Sequence, residues 1–326
     1  MGISRRDFLV GSSAAITLPV SLGAASAQDA YPKKPIRLFV GFAPGGSTDT
    51  VGRLIGQALT ERLGQSIVVE NRPGAGTNIA TEAAIRSTPD GYTLLMVGPS
   101  VAINATLYKE LNFNFMRDAE PVSSIASQAQ VMLANPKLPV KNVGELIDYA
   151  KKNPGKLTVA SAGIGSIGHL TGELFKMKAG VDLLHVPYRG AAPALADLVS
   201  GQVDVSFAGI AGAVEFASAG TLRALGVSTK TRSDRLPDVP VIADFLPGFE
   251  SNDWFGMAAP KNTPPEIIAL LNREIAAAVA DPKLKARFAD LGAASMPMSQ
   301  SDFGRLLRDD TEKWGEVVRT AKITPI

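Results

Sequence analysis

Two glycine-rich turns, far apart in the chain, each follow a short apolar run and open a segment of helical periodicity. The first is Phe42-Ala43-Pro44-Gly45-Gly46-Ser47-Thr48-Asp49, after Ile36-Arg37-Leu38-Phe39-Val40. The second is Ser161-Ala162-Gly163-Ile164-Gly165-Ser166-Ile167-Gly168-His169, after Leu157-Thr158-Val159-Ala160. A turn of this kind leaves backbone N–H groups at the start of a helix unpaired and pointing outward. With the helix dipole behind them, those donors make a site for an anion. Two such turns suggest two lobes that grip one small acid between them.

The rest of the chain fits that frame. Apolar runs of strand length alternate with helical patterns, which predicts an α/β fold with mainly parallel sheets. Residues 36–42 read as a buried strand. Residues 48–63 read as a helix with Val51, Leu54, Ile55, Ala58, Leu59 and Leu63 on one face, stopped by Gly64. Strands are expected at 66–70 and 92–97, with a helix at 79–86 after the turn Asn71 to Asn78. The pattern then restarts. Strands are expected at 131–135, 157–160, 183–186, 203–207 and 222–227, and helices at 143–153, 169–179 and 191–200. Beyond Trp254 the chain reads as mostly helical, with Pro264-Pro265-Glu266 opening a helix to 280, a second helix from Asp281-Pro282, and a last one over 301–320. One lobe is therefore expected to comprise 28–127 plus 252–326, and the other 128–251. The chain crosses between them twice, which places a hinge near 123–127 and 250–254.

The first residues read as an export leader. Ser4-Arg5-Arg6-Asp7-Phe8-Leu9 is a twin-arginine motif, an apolar stretch follows over 10–22, and Ala25-Ser26-Ala27 supplies the small residues of a cleavage site. The apolar stretch is shorter than the ~20 residues a membrane span needs. Residues 1–27 are thus expected to be a twin-arginine signal peptide and the mature protein to reside in the periplasm. The formal net charge of +2 falls to +1 once the leader's two arginines and one aspartate are removed. A nearly neutral chain has no general electrostatic reason to bind nucleic acid or an anionic membrane. The chain has no cysteine, which excludes disulfides, thiolate metal sites and cysteine nucleophiles.

Each motif has a plainer reading beside the functional one. Gly163, Gly165 and Gly168 form a Gly-x-Gly-x-x-Gly pattern, the dinucleotide fingerprint. The supporting acid at the end of the next strand is missing, because Asp182 starts its strand instead. Pro44 to Asp49 lacks the Gly-Lys-Ser/Thr ending of a nucleotide P-loop. Asp49 sits in a first helical turn, where capping or complementing the dipole competes with ligand contact. Ser47 and Thr48 suit either role. His169 and His185 are the only histidines. His169 lies in a helix's first turn, which disfavours an imidazolium, and two histidines without cysteine make a transition-metal site improbable. No Gly-x-Ser-x-Gly nucleophile elbow is present. Tyr188 and Arg189 end a strand, where ligands bind in parallel sheets but where a surface ion pair serves equally well. Trp254 reads as a packing residue.

Taken in order, these segments resemble the periplasmic solute-binding proteins of tripartite tricarboxylate transporters, the TctC-like or Bug family. The resemblance runs through Tyr31-Pro32-Lys33-Lys34-Pro35-Ile36, the turn from Phe42 to Asp49, Val69-Glu70-Asn71-Arg72-Pro73-Gly74-Ala75-Gly76, Pro89-Asp90-Gly91-Tyr92, Ser161-Ala162-Gly163 with Gly165, Ser166 and His169, and Val186-Pro187-Tyr188-Arg189-Gly190. It implies a two-lobed flytrap related to the type II periplasmic binding proteins, with the ligand cleft between the lobes. It implies a small organic acid as ligand, a membrane permease as partner, a monomer, and no cofactor or metal. The contacts it implies are Phe42, Ala43, Gly45, Gly46, Ser47, Thr48, Asp49, Gly76, Thr77, Asn78 and Ser100 in one lobe. In the other they are Ser161, Gly163, Gly165, Ser166, His169, Tyr188, Arg189, Ala208 and Gly209. The competing reading is an α/β enzyme, a hydrolase or dehydrogenase acting on a small carboxylated substrate. No activated nucleophile or acid–base pair in the sequence supports it.

Overall fold

Strand β1 (Ile36–Val40) is buried at every position but Arg37, as an interior parallel strand requires. It is the centre of the first of two parallel sets in a computed structural model that describes residues 31–324. The expected leader, residues 1–27, lies outside the described residues. After β1 come α1 (Ser47–Leu63), β2 (Ile67–Asn71), a single 3₁₀ turn (Ala75–Thr77), α2 (Asn78–Ile85), β3 (Thr93–Val97), α3 (Ser100–Leu107) and α4 (Phe115–Asp118). The long strand β4 (Ala119–Ala134) leads to α5 (Val143–Lys152), β5 (Thr158–Ser161), α6 (Ile167–Ala179), β6 (Leu184–Pro187), α7 (Ala191–Ser200), β7 (Val205–Gly209), α8 (Ile210–Ser218) and β8 (Arg223–Val227). A 3₁₀ turn (Ile242–Asp244) precedes β9 (Asn252–Pro260), α9 (Pro265–Ala280), α10 (Pro282–Asp290), β10 (Ala293–Ser295) and α11 (Gln300–Thr320).

The strands form one sheet in the order β2-β1-β3-β9-β4-β7-β5-β6, with β8 and β10 also paired to β4. The pairs β1–β2, β1–β3, β5–β6 and β5–β7 are parallel. Every pair made by β4 or β9 is antiparallel. The sheet is therefore mixed, which corrects the expectation of mainly parallel pairing. The cause is topological: β4 and β9 are the two strands that connect the parallel sets, and each runs against its neighbours.

Strand β4 changes partner part-way along. Residues 119–129 pair with β9, ending at Gln128↔Asp253 and Ala129↔Asn252. From Gln130, opposite Gly209, the strand pairs with β7. Polar residues recur along this buried strand, and its serines at 123 and 124 reach backbone carbonyls from across the fold. Ser123 Oγ donates to Met298 O at 3.0 Å, and Ser124 Oγ donates to Met296 O. Asn272 Nδ2 donates to Val122 O at 2.8 Å.

The core follows the same division. One apolar cluster joins Phe39, Leu95, Val97, Trp254, Phe303 and Leu307 in the first half of the sheet. Another joins Leu133, Leu195, Leu198, Ile210 and Val227 in the second. A third spans both halves, with Ile103 and Leu107 of α3 and Trp314 and Val317 of α11 beside Leu170, Leu174 and Phe175 of α6.

Candidate functional site

The first glycine turn delivers the N-terminus of α1 with its donors open. Gly46 is the N-cap and offers no side-chain cap. Among the described residues, the N–H groups of Ser47, Thr48 and Asp49 have no acceptor. The Asp49 carboxylate is committed to bracing the turn. It accepts from Gly45 N at 2.9 Å, Arg53 Nε at 3.0 Å and Asn71 Nδ2 at 2.8 Å, and Asn71 also donates to Phe42 O. Burial works to raise the Asp49 carboxyl, but the hydrogen bonds from Arg53, Gly45 and Asn71 outweigh it and hold it below its ordinary value. Asp49 thus offers a ligand its backbone N–H, and its side chain is already spent.

The turn before α2 lies against this loop. Gly74, Ala75, Gly76 and Thr77 all have positive φ, at 131°, 46°, 60° and 85°. A β-branched residue there is strained by about 1–3 kcal/mol. The surroundings hold it: Thr77 is buried, packs on Gly41, and its Oγ1 lies 3.3 Å from Ser100 Oγ. Asn104 Nδ2 donates to Gly76 O at 2.7 Å and to Asn78 Oδ1 at 2.9 Å. That leaves Asn78 Nδ2 buried with no acceptor, an uncommitted donor in the first half. Sequence reasoning missed Asn104 because α3 was not expected.

In the second turn the donors are distributed differently from the sequence expectation. Gly163 N–H donates to Ser161 Oγ, Gly165 N–H to His169 Nδ1, both at 3.2 Å, and Ser166 N–H to Gly163 O at 3.1 Å. Ser166 caps α6 by accepting from His169 N. Among the described residues, the N–H groups left without an acceptor at the start of α6 are those of Ile167 and Gly168. Gly168 has to be glycine: a Cβ there would stand 2.5 Å from Phe207 O. Behind the turn, His169 and His185 stack with ring centroids 3.9 Å apart, and Ser161 Oγ lies 2.7 Å from His185 Nε2. Burial first, then the neighbouring His185 and Lys176, lowers His169 to about 3. Burial and Lys176 lower His185 to about 4. Ser161 and His185 are thus a hydrogen-bonded pair with a neutral, half-buried imidazole.

Tyr188 OH donates to Asp197 Oδ2 at 2.6 Å, and that bond, aided by burial, pushes the phenol up to about 12. Arg189 is exposed and, among the described residues, has no ion-pair partner. Strand β6 ends at Pro187, so the ribose-binding acid of a dinucleotide fold has no counterpart. Among the described residues no group of three acids and histidines could hold a metal ion.

Leu107, Gln128 and Asp253, which the sequence did not single out, bring the two halves together. Leu107 Cδ2 would lie 2.5 Å from a Cβ on Gly165. A Cβ on Gly98, just after β3, would lie 3.1 Å from Trp254 O. Trp254 is a packing residue, with Nε1 donating to Asp310 at 2.6 Å and Phe303 edge-on at 5.5 Å. Where the strands cross, Gln128 Nε2 donates to Asp253 Oδ2 at 2.7 Å and lies 3.2 Å from where a Gly209 side chain would start. A hollow of about 540 Å³, lined by Arg223, Arg235 and their neighbours, includes none of these residues.

A family profile described as the tripartite tricarboxylate transporter family receptor, TctC, matches residues 51–323. The chain belongs to the TctC family. It is 36% identical to Protein BugT of Bordetella pertussis over 325 residues, covering 98% of each. Among solved structures, one described as a periplasmic transporter is 39% identical with a TM-score of 0.81, covering 91% of this chain and 100% of that one. R. palustris Rpa4515, solved with adipate, is 35% identical with a TM-score of 0.82, again covering 91% and 100%. The TctC chain therefore has the two-lobed α/β fold of periplasmic solute-binding receptors, and the parallel strand sets on either side of β4 and β9 are the sheets of that fold.

Proposed function

We propose that the protein captures a small organic acid between its lobes and releases it, chemically unchanged, to a membrane permease of the tripartite tricarboxylate type. The observation that carries this reading is the pair of open helix N-termini, α1 in one half and α6 in the other, each with unpaired N–H groups. Charge-assisted hydrogen bonds from such donors are strong, and only a closed form brings both sets to one ligand. Asn78 Nδ2 adds a further buried donor. Phe42, Ile79 and Ile164, 42%, 53% and 51% exposed, adjoin these turns in sequence and offer apolar surface suited to a ligand's hydrocarbon part. The adipate held by Rpa4515 is an acid of this class.

One lobe comprises 28–127 with 252–326 and the other 128–251. The partner change in β4, at Ala129 and Gln130, falls beside that boundary. The receptor acts as a periplasmic monomer without cofactor. Among the described residues no helix is long and apolar enough to cross a membrane.

Proline at the first helical position removes an N–H while fitting the helix. Gly46 and Ser166, the residues before those positions, already have the extended backbone that precedes proline. Ser47→Pro and Ile167→Pro therefore each delete one open donor. Native mass spectrometry of freshly purified protein identifies a retained acid, and calorimetry with that acid should show each variant weakened by about 1.5–3 kcal/mol, roughly tenfold to a hundredfold. Wild-type affinity in both folded variants would place the acid elsewhere and overturn the reading.

A further inference from the structure

Among the described residues, Asp253 is a carboxylate without a countercharge, set where the two halves of the sheet meet. Three contacts place it there. Strand β9 runs antiparallel to β3 and pairs up to Val97↔Gly256, so Asp253 lies beyond the C-terminal end of β3, the end that carries the first-half loops. Its chain neighbour Trp254 touches Gly98 of that loop. Its cross-strand partner Gln128 lies against Gly209, at the C-terminal end of β7 in the second half. Ligands in open α/β sheets bind beyond those strand ends. The residue remains partly exposed, with β4 alone paired to it at this point. Gln128 occupies only Oδ2. Among the described residues, Oδ1 accepts no hydrogen bond and no lysine, arginine or histidine pairs with the group.

A cleft built to hold a carboxylate gains nothing from a second bare carboxylate unless the ligand also brings positive charge. We propose that Asp253 makes this receptor select acids that carry an ammonium group, with Asp253 Oδ1 accepting from the ammonium while the open helix N-termini hold the acid's own carboxylate. The inference rests on the carboxylate-receptor reading above and narrows it. Burial, only partly offset by the Gln128 bond, raises the Asp253 carboxyl to about 6. The group is thus ionised near neutral pH at a cost that a bound ammonium relieves. A plain diacid such as adipate would instead set like charges together.

Calorimetry and thermal shift with two matched sets of acids test this. One set is 2-amino acids from alanine to 2-aminooctanoate, with aspartate and glutamate. The other is the same acids without the amino group, from propionate to octanoate, with succinate and glutarate. The tightest binder should belong to the amino set, and its counterpart should bind at least tenfold more weakly. Asp253→Asn should shrink that preference to under threefold and leave the counterpart's affinity unchanged or improved. An acid without an amino group binding as tightly as its amino partner would overturn the proposal and leave the receptor reading standing. So would a tenfold preference that survives D253N. Binding by no member of either set would overturn the receptor reading itself. The wild-type comparison decides the matter even if the variant fails to fold.

Discussion

His169 and His185 lie face to face in the second lobe, and both are neutral because charge on either would be buried. Each binds fewer protons in the folded chain than in the unfolded one, so folding stability falls as pH drops below the ordinary value of 6.5 and keeps falling until about 4 and about 3 are passed. Asp253 acts in the opposite sense. Its carboxyl is raised from 3.8 to about 6, so the folded chain binds the extra proton and gains stability as pH falls through that window. Two groups lose where one gains. The urea midpoint of the wild type should fall between pH 6.5 and pH 5. Asp253→Asn, which lacks the opposing group, should be the more stable protein at pH 7 and lose that advantage on acidification, by about 1 kcal/mol across the interval. Parallel curves for the two proteins would show that Asp253 is not held out of water.

At the scale of elements, the contact between α6 and β7 fixes α6, the second of the two helices proposed to hold the acid. The Phe207 carbonyl occupies the space a side chain at 168 would need. Gly168→Ala should therefore push the helix off the strand, cost about 1–3 kcal/mol in stability, and weaken acid binding with it. An unchanged melting temperature would mean the helix can move without cost. The glycine signal was legible in the sequence because a strand, a glycine turn and a helix in succession have few other readings. Helices α1, α5, α7 and α9 lie within a residue or two of their expected bounds, since each carries an apolar stripe or a proline start. Strand β4 was legible only over its last residues. Its earlier part carries Ser123, Ser124, Ser127 and Gln128, with register shifts that break alternation, and its polar groups are satisfied by residues distant in sequence. Strand β9 was hidden for a related reason: its pairing with β4 gives it meaning, and no local pattern marks it. The same holds for the site. Which turns bear donors was readable, but which donors stay open was not, because His169 and Ser161 side chains take up N–H groups within the second turn. Gln128 and Asp253 lie 125 positions apart and acquire a role only where the strands cross.

Across the whole molecule, the lobes share β4, β9 and a common apolar cluster. In that cluster α3 and α11 of one half pack against α6 of the other. Leu107 on α3 reaches Gly165 in the second turn, so the two halves touch beside the second of the proposed acid-binding helices. A helix N-terminus alone is a weak anion site. Two that close on one ligand give tight capture and easy release, because opening withdraws half of the donors at once. Capture by both lobes is tested most directly by titrating a binding acid into ¹⁵N-labelled protein and following the backbone amides at the two helix starts. The amide signals of Ser47 and Thr48 in one lobe and of Ile167 and Gly168 in the other should shift together, saturating at the same acid concentration. Shifts confined to one lobe, or two sets that saturate at different concentrations, would contradict capture between the lobes.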